Sequence, residues 1–141
     1  MALDELGEVM AAAVAGGGPE PNASPLQALA AAYRRFASEH PERYTATFRA
    51  APASHPGLAG AGDDALRTVF AILADVGIAD DDLVHTARAI RASLHGFVAL
   101  EAAQGFGLPQ EVDRSFVRMV DALERGLGGD FMRMRPRYPG P

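Results

Sequence analysis

The sequence predicts an all-α fold of about six helices, and three observations carry that prediction. Apolar residues recur every three or four positions along almost the whole chain, the spacing of one helical face. No stretch alternates apolar with polar residues or concentrates β-branched ones, so no strand is expected. Glycine and proline fall mostly between the periodic runs, marking connections like those that join helices in bundles.

The elements follow in order. Leu3, Leu6, Met10 and Val14 form the stripe of a first helix that ends at Gly16-Gly17-Gly18. A Gly/Pro-rich connection follows through Pro21. Ser24 is placed to cap a second helix with Pro25 at its first position, and Leu26, Leu29, Tyr33 and Phe36 make its buried stripe. His40-Pro41 breaks that run, because proline disfavours helical geometry in the residue before it. A short third helix carries Tyr44 and Phe48 one turn apart.

The stretch from Ala51 to Gly62 is the longest irregular one and is expected to be a loop. Asp63 then caps a fourth helix with Leu66, Val69, Phe70, Leu73 and Val76 on one face, and Gly77-Ile78 closes it. Asp80 opens the fifth helix, with Asp81 and Asp82 complementing the positive end of its dipole. This helix runs to Gln104, about 36 Å, and Gly105 ends it. Pro109 begins a sixth, with Val112, Phe116, Met119, Val120, Leu123 and Leu127 leading to Gly128-Gly129. Residues 1–129 therefore read as one folded domain, and 130–141, rich in proline and arginine, as a flexible tail.

Composition narrows the function. The 141 residues suit a single domain, and 48% hydrophobic with 22% charged residues is ordinary for a globular protein. No apolar run reaches the length that spans a bilayer, and no basic-flanked signal segment opens the chain, so a cytoplasmic location without membrane contact is expected. Cysteine is absent, which excludes disulfides, thiol catalysis and thiolate zinc sites. The net charge of −5 argues against a free-standing nucleic-acid binder, whose affinity needs a basic footprint. His85, His95, Glu101 and Glu111 are available for acid–base or metal chemistry, but no pair has ligand spacing and no nucleophile motif accompanies them. No catalytic residue, metal site or cofactor is therefore expected.

The fifth helix carries the functional signal. At about 100° per residue, Leu83, Ala87, Ile90, Leu94 and Phe97 converge on one face, and Glu101 falls at its centre. Arg91, His95, Val98 and Val84 form its shoulder. Glu101 either reaches solvent or an arginine near the helix end, or is buried and met by Arg91, His95 or a polar ligand. The far side carries His85, Ala89, Ala92, Gly96, Ala99 and Ala103. A glycine in mid-helix costs about 1 kcal/mol relative to alanine, and close approach of another helix would compensate. That helix belongs either to the same chain or, as the apolar character of helices five and six favours, to a second copy. With it, Val112, Phe116, Met119 and Leu123 are the candidate interface on the sixth helix.

Tyr33, Phe36, Tyr44, Phe48 and Phe70 come from three helices. Plain core packing accounts for aromatics of this kind, but the tyrosine hydroxyls need partners when buried and suit a cavity with a few polar handles. The candidate ligand-binding set is Tyr33, Tyr44, Phe48, Phe70, Arg91, His95, Phe97 and Glu101.

These residues carry a family resemblance. Leu94-His95-Gly96-Phe97, continuing to Leu100-Glu101, then Gly105-Phe106-Gly107 and Leu123-Glu124-Arg125-Gly126-Leu127, resembles the C-terminal ligand-binding and dimerisation domain of tetracycline-repressor (TetR) type transcriptional regulators. Within that family it looks like the subgroup with a Trp-His-Gly signature, Leu94 standing where the tryptophan would be. Leu29 to Ala37 with Pro41-Glu42-Arg43-Tyr44 is similar to the same subgroup, so the likeness runs from Leu3 to Leu127. The resemblance implies a homodimer in which the last two long helices form a four-helix bundle across a two-fold axis. It also implies a pocket for a small, largely apolar effector, whose occupation is coupled to DNA-reading heads. DNA contact is expected only through a helix-turn-helix head that this sequence does not contain. The alternatives are a structural or heterodimerising partner without its own ligand and, less in keeping with the residues, a small helical enzyme.

Overall fold

A computed structural model describes residues 2–17, 20–48, 69–74 and 80–137. All regular structure among them is helical: α1 (Ala2–Ala15), α2 (Pro25–Glu39), α3 (Pro41–Phe48), a helical segment α4 described over 69–74, α5 (Asp80–Ala102) and α6 (Val112–Arg137). The expected loop at 51–62, the Asp63 cap and the Gly77-Ile78 ending lie outside the described residues, as do the side chains of Phe48 and of 127–137. The chain divides into two compact units, Met1–Ala71 and Ile72–Pro141, the division falling within α4.

In the first unit α1, α2 and α3 pack on one another. Leu6 and Met10 of α1 and Leu26, Leu29, Tyr33 and Phe36 of α2 are buried, as their spacing predicts. α1 ends at the glycine cluster, where Gly17 takes φ 84, a left-handed conformation that only glycine adopts without strain. The start of α2 is specified more fully than Ser24-Pro25 alone suggests. The Gln27 backbone N–H donates to Ser24 Oγ at 3.0 Å, and the Ser24 N–H donates to Gln27 Oε1 at 2.9 Å, a reciprocal capping box. Ser24→Ala should cost about 1 kcal/mol of stability, read as a lower urea midpoint with an unchanged slope.

In the second unit α5 packs on α6. Ala87, Ile90, Leu94, Phe97 and Val98 are buried, Leu94 at 1% exposure, and Thr86 joins them. Leu83 is half-buried. Phe97 anchors an aromatic cluster, its ring centroid 4.8 Å from that of Phe106 and 5.0 Å from that of Phe116.

The end of α5 differs in detail from the expected glycine stop. Gln104, not Gly105, takes the left-handed position, at φ 55. Its N–H donates to the Glu101 carbonyl at 3.0 Å, and the Gly105 N–H donates back to Leu100 at 2.7 Å, the bond pattern of a Schellman motif. Gly105 is needed for another reason: a Cβ there would stand 3.1 Å from Leu100 Cδ2 and 3.2 Å from the Leu100 carbonyl oxygen. The two positions should respond oppositely to substitution. Gln104→Gly relieves a left-handed penalty of about 1–2 kcal/mol and loosens the unfolded chain by somewhat less, for a net gain of about 0.5 kcal/mol. Gly105→Ala should lose about 1 kcal/mol or more by crowding the last turn, and thermal unfolding of both variants measures the contrast.

α6 continues through Gly128 and Gly129 to Arg137, past the end that the glycine pair predicts. Two interior glycines cost about 2 kcal/mol of helix propensity, which weakens a helix without ending it.

Candidate functional site

The first unit supplies a buried polar pair. His40 ends α2 by donating its N–H to Phe36 O at 2.9 Å, and its carbonyl accepts from Tyr44 N at 2.8 Å to begin α3. Pro41 sits in the first turn of α3, where its missing N–H breaks no helical bond. This corner brings Tyr44 over Tyr33. The hydroxyl oxygens lie 2.5 Å apart and the rings meet edge to face, centroids 5.5 Å apart at 79°. Both residues are buried, at 5% and 7% exposure.

The residue beside Tyr44 faces another way. Arg43 Nη1 lies 3.2 Å from Glu5 Oε2, joining α3 to α1 at the surface. Consecutive residues of α3 thus hold two different helices, one by a buried hydroxyl pair and one by an exposed ion pair. Exposed pairs contribute about 0–1 kcal/mol, so Arg43→Ala should shift a urea midpoint far less than a buried substitution would. Both partners are polar surface residues, and hydrophobic periodicity gave no signal for this contact. An open recess of about 390 Å³ also lies on α3, lined by Pro41, Glu42, Thr45 and Ala46. The Thr45 hydroxyl there is engaged with the Pro41 carbonyl at 2.8 Å.

Of the other candidate pocket residues, Phe70 is half-buried and Phe48 closes α3. Arg91, His95, Phe97 and Glu101 belong to the second unit. Arg91 is exposed, while His95 and Glu101 are half-buried, and each of the three has an interaction partner. Glu101 is less buried than its angular position predicts, because it lies in the last turn of α5, two residues before the chain turns away. Phe97 is occupied with its own unit, between Phe106 and Phe116. Phe106 was not among the candidate residues. Its signal is an aromatic placed just past the helix stop, where the chain folds back onto the last turns.

The candidate pairing residues fall into two groups. His85, Ala89, Ala92 and Ala99 are exposed, and Gly96 is half-buried with no atom within 4 Å of where its Cβ would stand. Among the described residues, none therefore packs closely on the small-residue side of α5 at Gly96. Val84 and Leu100 flank it at 44% and 50% exposure. On α6, Val112, Met119 and Leu123 are half-buried, whereas Phe116 is buried on Phe97. Exposed Ser115, Ala122 and Gly126 run beside the half-buried line at helical spacing, extending it with small residues absent from the candidate set.

Among the described residues no cluster of His, Asp and Glu could hold a metal ion, and no helix is long and apolar enough to cross a membrane. The first unit thus holds a buried tyrosine pair in a helical core, and the second carries an α5 face on which His85, Ala89, Ala92 and Ala99 are exposed.

Comparison with known proteins identifies the family. The family model described as "Tetracyclin repressor-like, C-terminal domain" matches residues 26–123, and the chain belongs to that family. It is 33% identical over 103 residues to the uncharacterized HTH-type transcriptional regulator Rv0681 of Mycobacterium tuberculosis, covering 70% of this chain and 45% of that protein. The chain thus spans a little under half the length of that relative. Its fold is similar to that of a solved protein of unknown function from Rhodococcus sp. RHA1, with a TM-score of 0.73 and 26% identity over 89% of this chain and 68% of the other.

Proposed function

We propose that this chain is the effector-sensing and dimerisation domain of a TetR-type transcriptional regulator, acting without catalysis. The observation that carries the pairing half is the face of α5 on which His85, Ala89, Ala92, Gly96, Ala99 and Ala103 follow at alternating steps of four and three. That is the period of a seam between two long helices, and small residues let the helices approach closely. A second copy supplies the complementary seam by symmetry, since a two-fold interface uses the same patch on both partners. With the Val112, Met119 and Leu123 side of α6, it makes a four-helix bundle.

The sensing half rests on Tyr33 and Tyr44, polar handles in an otherwise apolar core, the usual character of a small-molecule site. A small, largely apolar effector would act by binding one arrangement of the domain better than another. Couplings of this kind are about 1–3 kcal/mol. α1, held to α3 through Glu5 and Arg43, is the element proposed to carry the change toward a DNA-binding head.

Sedimentation equilibrium tests pairing, and a thermal-shift screen of apolar and aromatic metabolites tests sensing. The reading expects a dimer and at least one stabilising compound. A monomer at micromolar concentration would sink the first half, and a screen without a hit the second. A chain that pairs only with a longer relative would identify a heterodimerising partner instead.

A further inference from the structure

We draw no further inference here: the strongest candidate, the outward face of α1 on which Val9 stands exposed with Ala12 and Ala15, is an apolar helix face, and nothing in the structure shows what covers it.

Discussion

Ala92→Glu should convert the proposed dimer into monomers while leaving each chain folded. Ala92 is exposed in the single chain, so a glutamate there is hydrated and costs the fold little. Across a two-fold seam the same change places two carboxylates in one close-packed interface, and a buried charge without a partner costs several kcal/mol. Dimer affinity should fall by about a hundred-fold or more, read by sedimentation equilibrium across a dilution series. Circular dichroism should show the helix content retained.

Gly96→Ala sharpens that test, because the two states of the face give opposite signs. A methyl group at Gly96 meets no described residue within 4 Å. If the face stays in water, alanine stabilises the helix by about 1 kcal/mol. If it is a close helix seam, the added methyl holds the helices apart and weakens pairing. Loss of dimer affinity together with a more stable monomer is the expected result. A stabilised protein with unchanged association would remove Gly96 from the seam.

The largest loss of stability is expected at Phe97. Its ring lies 7% exposed and meets both Phe106 and Phe116. Truncating a buried phenylalanine costs about 3–5 kcal/mol through lost transfer energy and the cavity left behind. Phe97→Ala should therefore lower the urea midpoint more than any other single change proposed above. Phe97→Leu, which keeps most of the volume, should lose markedly less. A Phe97→Ala protein as stable as the parent would show that the aromatic cluster does not hold α5 to α6. Since Phe97 was also a candidate for effector contact, binding by this variant is meaningful only once its fold has been checked.

Much of the fold was legible because helix periodicity and helix ends are local properties. The α2 stripe Leu26, Leu29, Tyr33 and Phe36 is buried as a unit, and the α5 stripe Ala87, Ile90, Leu94 and Phe97 likewise. Ser24-Pro25 marks the start of α2, and His40-Pro41 the corner into α3. Where local reading departed from the structure, a neighbouring residue took the role. Gln104 takes the left-handed turn, and Gly105, the next residue, lies close against Leu100. The α6 glycines did not stop the helix, since propensity is a weak prior that a long helix can absorb.

Less of the candidate site was legible. Angular position alone could not distinguish the half-buried Glu101 from the buried Phe97, because burial at a helix end depends on where the chain goes next. Nor could it reveal that Arg43 reaches Glu5, a contact between residues far apart in sequence.

The sequence by itself determined an all-helical chain, most of its caps and buried stripes, and a face of α5 reserved for small residues, because each follows from spacing along one helix. Tertiary structure alone decided that Tyr33 and Tyr44 share a hydrogen bond, that Phe97 closes on Phe106 and Phe116, and that no described residue packs closely on Gly96. The physical reason is that such contacts depend on how separate helices are brought together, and helical periodicity carries no information about that.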